Sequence, residues 1–561
     1  MGIPTYFRYL FEENPHIVTF HPGNCDYLFY DLNSILYKVF HDHLQEHEES
    51  QDLFIENIIK ELLFLCNNIV RPKKLIYFAL DGTAPRAKMV QQRSRRYKSI
   101  QEQMLLQRTA TFSPSNHICP GTEFMAKFRD CFLQKIGRKG FRCRDVIFND
   151  SSVPGEGEHK ILPILRKLKI DDPDADITIM SPDNDILSLS VLTMKNNIKI
   201  MRYMDKPTCE RLQHEYNKDH VMFIRLDTML ESYHTESRDK YNVILDMNFL
   251  LSMVGNDFIQ AIPYMKIKSG GMNKIQQAYE NAVQSNDNAY LIDPQTLDVN
   301  MNVFCSIVEQ LSKRESNEFL ILGGTIAKEK NGRSNILTDT DDMSEEEIYA
   351  TRLRHLYLCN PLHPLYDEYE KDFTTVSFLD PTNELISKYY EHFCGVSIAN
   401  SRSTRDKMVM AYLKSLRFTL LYYNQECPSW NWYYPYRVAP LFSDIYFFLK
   451  RNPSFSFTEL TFRRGKPLSP FEQLLFILPP QSKSILPNVY GNIFEKYKKY
   501  YPETFRVDAV QGLKYIYSEA ILPEWDCYLQ VLSDIRKSHA LLSPDDKERN
   551  KITNKIFRFV Y

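Results

Sequence analysis

The sequence predicts an α/β fold with a mostly parallel central sheet and flanking helices, followed by a largely helical second lobe. Three short apolar runs carry this prediction, because each ends in an acidic residue and precedes a helical pattern. They are residues 27–31, 74–81 and 177–183. Strands that alternate with helices are typical of a parallel sheet covered by helices. In such sheets ligands bind outside the carboxyl ends of the strands, where we expect Asp31, Asp81 and Asp183.

Length and composition narrow the class of protein. The chain has 561 residues, more than one hydrophobic core usually holds, so more than one packed lobe is expected. Its formal net charge of -2 attracts no polyanion globally, so nucleic-acid binding would have to use local basic patches. The 11 cysteines form no Cys-x-x-Cys pair, which indicates reduced thiols in an intracellular protein and no structural zinc site. No apolar run is long enough to predict a membrane span.

Composition also suggests where the lobes divide. Residues 1–268 hold the acidic residues and the basic segment discussed below, and we expect them to form the first lobe. Residues 269–300 are polar, and residues 328–347 form a charged stretch with few apolar anchors. We therefore expect a linker or surface excursion over residues 269–344. Residues 345–561 return to a helical, aromatic-rich pattern that predicts the second lobe.

Seven acidic residues stand at the ends of apolar runs or in glycine-flanked turns. They are Asp31, Asp81, Glu156, Glu158, Asp183, Asp185 and Asp257. Two pairs have a spacing of two, in PGEGEHK and SPDND, and in an extended or turn segment this spacing points both carboxylates to one side. Taken alone, each residue is more typical of a turn or a helix cap, and Glu158 and Asp185 can serve as caps as well.

Clustered carboxylates need cations. Two negative charges about 4 Å apart repel by about 4 kcal/mol at an effective dielectric constant of about 20. Hard oxygen ligands favour Mg²⁺ or Mn²⁺. A site with this many carboxylates suits two ions that clamp the attacking and leaving oxygens of a phosphodiester.

The segment that follows Asp81 is strongly basic. Residues 86–98 contain six basic residues and no acidic one, and they lack glycine and proline, so we expect a helix. Four of its side chains fall within about 100° of arc, a stripe that can hold a terminal phosphate beside the metals. They are Lys88, Gln92, Arg95 and Arg96. The alternative is a solvated basic face, and the adjacency to Asp81 favours the phosphate site.

A third feature is an aromatic segment punctuated by proline. Residues 427–440 contain Trp430 and Trp432, two of only three tryptophans in the chain. Bases stack on aromatic faces with a gain of roughly 1 to 3 kcal/mol each, so both residues are candidates for substrate binding. Packing in a core is the usual fate of tryptophan, and we expect at least one of the pair to be buried.

These motifs resemble the nuclease core of the 5′→3′ exoribonuclease (XRN) family. The first lobe carries MGIPTYFRYL, YDLNSIL, ALDGTAPRAKMVQQRSRR, PGTEFM, VPGEGEHK, PDND and VGNDF. The second lobe carries PSWNWYYPYRVAP, PLSPFEQLLFILP and LLSPDDKERN. The resemblance covers nearly the whole chain, and the combination of VPGEGEHK with DGTAPRAKM is highly specific.

The resemblance implies a fold, an activity and a site. It implies a PIN-like core similar to the flap-endonuclease superfamily, enclosed by the second lobe. The seven acidic residues above would form the metal site, and the four stripe residues would form a pocket for a 5′-monophosphate. The implied activity is processive hydrolysis of single-stranded RNA from a 5′-monophosphate end to nucleoside monophosphates. Two alternatives stay open: a structure-specific DNA 5′ or flap nuclease, and a catalytically inactive RNA-binding scaffold.

The chain departs from the family pattern at three points. Tyr37 stands where the family has a histidine that stacks on a substrate base, and an aromatic face remains for that role. The usual Gly-Leu-Asp-Ala-Asp loop reads Ser-Pro-Asp-Asn-Asp and keeps both carboxylates. We expect the long C-terminal modules of the large cytoplasmic members to be missing, since the sequence ends soon after LLSPDDKERN. We expect a monomer in the cytoplasm, with the nucleus left open, and candidate partners are decapping or RNA-decay factors.

Overall fold

The computed structural model describes residues 3, 5–43, 51–105, 114–231, 233, 238–333, 389, 390, 394, 401–508 and 519–561. Its strands are β1 (Val18–Thr19), β2 (Tyr27–Asp31), β3 (Leu75–Ala79), β4 (Asp145–Asn149), β5 (Ile177–Met180), β6 (Ile198–Tyr203), β7 (Val221–Arg225), β8 (Arg506–Asp508), β9 (Glu519–Ile521) and β10 (Phe557–Val560).

Helices surround these strands. In the first half of the chain they are α1 (Tyr6–Glu13), α2 (Leu32–His43), α3 (Gln51–Phe64), α4 (Arg86–Leu105), α5 (Pro114–His117), α6 (Glu123–Gly137), α7 (Gly157–Asp171), α8 (Asp185–Val191), α9 (Lys206–Arg211), α10 (Leu226–Glu231) and α11 (Lys240–Leu251). In the second half they are α12 (Gly271–Gln284), α13 (Met301–Arg333), α14 (Arg402–Asn424), α15 (Phe442–Arg451), α16 (Pro470–Ile477), α17 (Gly491–Lys496), α18 (Tyr528–Ser538) and α19 (Pro544–Arg549).

The central sheet has eight strands in the order β1-β7-β6-β5-β2-β3-β4-β10. The five strands β6, β5, β2, β3 and β4 run parallel to one another. The remaining strands pair antiparallel at the two edges of the sheet. This arrangement confirms the predicted α/β fold with a mostly parallel sheet.

Both faces of the sheet are covered, which explains why its central strands are continuous apolar runs. On one face the rings of Phe78 and Phe148 pack against Phe132 of α6, with ring centroids 5.1 and 5.0 Å apart. On the other face Phe29 and Ile179 belong to a core that continues into the second half of the chain. The carboxyl ends of β2, β3 and β5 are therefore held rigidly between two packed layers.

The two lobes share one hydrophobic core rather than meeting at a thin interface. The core that begins at β2 and β5 includes Phe249 of α11, Phe304 of α13 and Phe418 of α14. A separate core joins α16, α17 and α18, and Met89 of α4 is part of it. Helix α4 is therefore enclosed by the second half of the chain.

The linker predicted for residues 269–344 is wrong over the part that the structure describes. Helices α12 and α13 lie there, and Ile275, Tyr279 and Phe304 are buried in the shared core. The polar residues that suggested a linker form the outer face of α12, while its apolar residues recur at helical spacing and face inward. Residues 334–344 lie outside the described residues.

The predicted boundary at residue 345 stays a prediction. Residues 345–388 lie outside the described residues, and the last strand, β10, pairs with β4 of the first lobe. Residues 557–560 therefore belong to the central sheet, although the predicted division assigned residues 345–561 to the second lobe. In the described part of the chain, no helix combines the length and the apolar character required to cross a membrane.

Candidate active site

The carboxyl edge of the parallel sheet gathers the predicted acidic residues. Asp31 is the last residue of β2, and Asp81 follows the end of β3 by two residues. The Ser181 hydroxyl, which directly follows β5, donates to Asp31 Oδ2 at 3.2 Å. The backbone N–H of Gly157 donates to Asp81 Oδ1 at 2.8 Å. The ends of three strands and the start of α7 therefore meet at one point.

Gly157 allows this close approach. A Cβ atom added there would lie 2.9 Å from Asp31 Oδ1 and 3.6 Å from Asp81 Oδ1. The residue sits between Glu156, which precedes α7, and Glu158 in its first turn. The pattern Glu-Gly-Glu thus brings two carboxylates and a bare backbone to the ends of β2 and β3.

Lys88 connects the basic helix to the carboxylates. Its Nζ lies 2.7 Å from Glu156 Oε1 and 2.5 Å from Asp257 Oδ2. The Gln91 amide donates to Asp257 Oδ1 at 3.0 Å. Asp257, which comes from the loop after α11, is thereby tied to the group formed by β2, β3 and α7.

Burial and mutual repulsion perturb the acidic groups. Burial, together with the charges of Asp81 and Asp183, raises the pKa of Asp31 well above its usual range. Burial and Glu156 do the same for the pKa of Glu158. Burial and Asp183 raise the pKa of Asp185 to about 7. Carboxylates in this condition are stabilised in their charged form by a nearby cation.

The arrangement fits divalent metal ions. Within the described part of the chain, Asp31 Oδ1 and Asp185 Oδ1 are buried and accept no hydrogen bond. Possible ligand atoms of Glu156, Glu158 and His159 all lie within 4.8 Å of one another. Buried carboxylate oxygens without a donor are costly unless a cation completes them, and hard divalent ions suit such oxygens.

His159 and Tyr422 are two neighbours of this cluster that the sequence did not predict. The His159 ring lies 3.7 Å from the ring of Tyr422, measured between centroids, and burial lowers the pKa of His159 to about 3. The Tyr422 hydroxyl donates to Glu156 Oε2 at 3.1 Å across a sequence separation of 266 residues. His159 could have been predicted from the local sequence, since it follows Glu158 directly. No local sequence feature points to Tyr422.

The stripe on α4 is internal rather than solvated. Gln92 and Arg96 are buried, and Gln473 of α16 donates to Gln92 Oε1 at 3.4 Å. Arg96 donates to the Gln92 carbonyl at 3.0 Å and to Cys119 Sγ at 2.9 Å. These contacts exclude the alternative of a solvated basic face.

Arg95 lies at the side of the stripe that faces Tyr37. Its guanidinium carbon is 5.9 Å from the centre of the Tyr37 ring. In the part of the chain described here, the buried Nε atoms of Arg95 and Arg96 find no hydrogen-bond acceptor. Because unpaired buried donors are costly, both residues can gain from an anionic ligand.

The two predicted tryptophans differ in their surroundings. Trp432 is half-buried, and its ring stacks on Phe418 with centroids 4.8 Å apart. Trp430 is also half-buried, and its ring stacks on no aromatic ring among the described residues. Its carbonyl accepts from the backbone N–H of Arg86 at 3.0 Å. The expectation that at least one of the pair would be buried is met only in part, since both are half-buried and Trp432 packs against the shared core.

Arg86 joins the aromatic segment to α4. Its guanidinium carbon lies 4.1 Å from the ring centre of Tyr433 and 3.8 Å from that of Tyr528. Cation–π contacts of this kind hold the segment against the first turn of α4. The second lobe thus meets the first beside the carboxylates.

A parallel sheet with buried carboxylates at its carboxyl edge, joined to a basic helix through Lys88, defines an α/β protein with an acidic, metal-compatible site. Residues 1–204 match the family described as XRN 5'-3' exonuclease N-terminus. Residues 238–355 and 385–560 match the family described as Xrn1 helical domain. The chain belongs to the XRN 5′-3′ exonuclease family.

Relatives of this chain carry names that agree with the family. The 5'-3' exoribonuclease 2 of Gallus gallus is 24% identical, over 98% of this chain and 71% of the relative. The 5'-3' exoribonuclease 1 of Homo sapiens is 27% identical, again over 98% of this chain but over 35% of the relative. The 5'-3' exoribonuclease 1 of Saccharomyces cerevisiae is 24% identical, over 98% of this chain and 44% of the relative. The chain thus spans less than half of each of the two exoribonucleases 1.

Proposed function

We propose that the chain is a metal-dependent 5′→3′ exoribonuclease. In this proposal it hydrolyses single-stranded RNA with a 5′-monophosphate end, processively, to nucleoside monophosphates. The observation that carries the proposal is the double contact of Lys88, on α4, with Glu156 and Asp257. This contact supports a site in which the basic stripe adjoins the acidic cluster.

Mg²⁺ or Mn²⁺, with two ions in the site, is the cofactor that the acidic cluster suits. All seven predicted carboxylates would contribute oxygens, and Asp31 and Asp185 each offer a buried oxygen that no donor occupies in the described part of the chain. When bound, such ions polarise the phosphodiester and make a water molecule more acidic. The residues of the chain hold the site rigidly, because each strand end is fixed by the sheet.

The stripe supports the choice of a terminal phosphate as the group recognised. The stripe begins at Lys88, which contacts the carboxylates. It continues along the same side of α4 through Gln92, Arg95 and Arg96. Arginine and lysine donors suit the dianionic oxygens of a monophosphate. Gln473 of α16 contacts Gln92, so the stripe is covered. A covered stripe favours a small terminal group over a triphosphate or a cap.

RNA as the substrate and the 5′→3′ direction rest on the relatives, whose names state both. Tyr37 and Trp430 are the aromatic side chains we assign to stacking on substrate bases. Tyr37 lies beside Arg95, and Trp430 lies against the first turn of α4. Stacking on aromatic rings needs no particular base and suits a processive enzyme.

The proposal is tested by removing the metal and by neutralising single carboxylates. We expect EDTA to abolish degradation of single-stranded RNA and Mg²⁺ or Mn²⁺ to restore it. Asp183→Asn and Glu158→Gln should both lose most turnover. Glu158→Gln should also keep its melting temperature, because loss of its charge relieves repulsion from Glu156 and Asp185. Asp171→Asn, an exposed carboxylate at the end of α7, is the matched control and should retain full activity.

Full activity in excess EDTA would contradict the metal assignment. A parallel assay with flap DNA separates the proposal from a DNA 5′ nuclease, since faster cleavage of the flap would favour that alternative. Absence of cleavage of either substrate in Mg²⁺ and Mn²⁺ would favour an inactive RNA-binding scaffold.

A further inference from the structure

Glu156 is held from both lobes of the molecule. Its Oε1 atom faces Lys88 Nζ at 2.7 Å, and its Oε2 atom accepts from the Tyr422 hydroxyl at 3.1 Å. Lys88 belongs to α4 and Tyr422 to α14. Glu156 and Tyr422 are both buried, so water does not compete for either oxygen.

The ring of Tyr422 is fixed by its neighbours. It packs on His159 at 3.7 Å, on Phe258 at 5.0 Å and on Phe418 at 5.5 Å, measured between ring centroids. With the ring immobilised in this way, the hydroxyl has a defined position, and that position is against Glu156. The aromatic packing and the hydrogen bond are separable, because phenylalanine retains the ring and loses only the hydroxyl.

The two contacts on Glu156 oppose each other. Lys88 attracts the carboxylate toward a neutral ion pair, in which both oxygens can turn to the ammonium group and away from a metal. The Tyr422 hydroxyl instead holds Glu156 Oε2, the oxygen that does not face Lys88. A hydrogen bond to a charged group is stronger than one between neutral groups, enough to set the orientation of the carboxylate.

We propose that Tyr422 is a positioning residue for the metal site: its hydroxyl orients Glu156 for metal binding and makes the site depend on the seating of α14. This role of Tyr422 rests on one part of the proposed function, namely that Glu156 is a metal ligand. The second lobe then contributes to the chemistry as well as to the enclosure of the site.

Binding of Mn²⁺ to the whole chain without RNA tests this proposal. The electron paramagnetic resonance signal of free Mn²⁺ gives the dissociation constant. Loss of a group that orients a ligand typically costs about 10-fold to 100-fold in metal affinity. We therefore expect Tyr422→Phe to bind Mn²⁺ at least about ten-fold more weakly. The Mg²⁺ concentration for half-maximal RNA degradation should rise by a similar factor, with KM for RNA unchanged at saturating Mg²⁺.

Tyr501→Phe is the matched control. The Tyr501 hydroxyl is also buried, and it donates to the Leu475 carbonyl at 2.7 Å within the core of α16 and α18. Both variants lose one buried hydroxyl and should show similar shifts of melting temperature, but Tyr501→Phe should bind Mn²⁺ like the wild type. In a Glu156→Gln background, Tyr422→Phe should weaken Mn²⁺ binding no further, because the two residues act through one contact.

An unchanged Mn²⁺ affinity of Tyr422→Phe would overturn the proposal, as would an equal loss in Tyr501→Phe. A wild-type protein that binds Mn²⁺ but degrades no RNA would overturn the proposed function alone. In that case the shift in Mn²⁺ affinity still decides the role of Tyr422. A wild-type protein that binds no Mn²⁺ would overturn both.

Discussion

At the scale of single residues, the site depends on the absence of a side chain at Gly157 as well as on the positions of the carboxylates. Gly157 lies so close to Asp31 that a methyl group would press on its Oδ1 atom at 2.9 Å. That oxygen is one of the two buried carboxylate oxygens we assign to a metal. The chemistry of the cluster therefore constrains a residue that has no functional group of its own.

We expect Gly157→Ala to reduce RNA degradation by on the order of a hundred-fold, because displacement of a ligand by about 1 Å is enough for such a loss. The melting temperature should change little, since the carboxylate of Asp31 can move. Gly491→Ala is the control, because no atom lies within 4 Å of the Cβ it would add. Turnover close to wild type for Gly157→Ala would show that Asp31 does not act at the position we assign.

The acidic residues could be predicted because their signals are local. Asp31 ends an apolar run, and Glu156 and Glu158 flank a glycine, so a short window of sequence reveals each of them. The hydroxyl of Tyr422 could not be predicted, since it reaches Glu156 from 266 residues away. The sequence also gave no sign that Lys88 pairs with Asp257, because only the fold brings the two together.

At the scale of elements, the central strands were predictable and the edges were not. Strands β2, β3 and β5 are buried apolar runs, whereas β1 has two residues and β10 has half-buried and exposed side chains. A short edge strand is defined by its partner, which the local sequence does not show. The polar outer face of α12 led to the wrong prediction of a linker for a related reason. The average composition of a segment does not show that its polar and apolar residues lie on opposite faces of a helix.

The contact between α17 and α18 should respond to acid. Hydrogen bonds from Lys496, Lys537 and Tyr497 hold the pKa of Asp534 below its usual range. A lowered pKa in the folded state adds stability that is present above the pKa of the unfolded chain, near 3.9, and is lost as the pH falls below it. We expect Asp534→Asn to lower the free energy of unfolding at pH 7, and the difference from wild type to shrink toward zero as the pH falls below about 4.

Urea unfolding of both proteins across that pH range provides the measurement. Asp171→Asn serves again as the control for loss of a surface carboxylate. A difference between wild type and Asp534→Asn that does not shrink as the pH falls from about 4 to about 2 would rule out the assigned ion pairs as its source.

At the scale of the whole molecule, the second half of the chain contributes to both the core and the candidate site of the first half. It shares a core with the sheet, covers α4 with α16 and places Tyr422 against Glu156. That the second lobe encloses the site, as the family resemblance implies, stays a prediction. Residues 345–388, where the predicted second lobe begins, lie outside the described part of the chain.

The central claim is that the acidic cluster and the stripe on α4 together select a 5′-monophosphate end. The direct measurement compares RNAs of one sequence that are labelled at the 5′ end and carry a 5′-monophosphate, hydroxyl or triphosphate. The readout is the rate at which each RNA releases labelled nucleotide in Mg²⁺. A monophosphate offers charge-assisted bonds of about 1.5 to 3 kcal/mol each, which a hydroxyl end does not make. We predict the fastest release from the monophosphate. Arg95→Ala should slow that reaction and change the slow reaction of the hydroxyl end much less. Equal rates for monophosphate and hydroxyl ends in the wild type, or an equal slowing of both by Arg95→Ala, would contradict the claim.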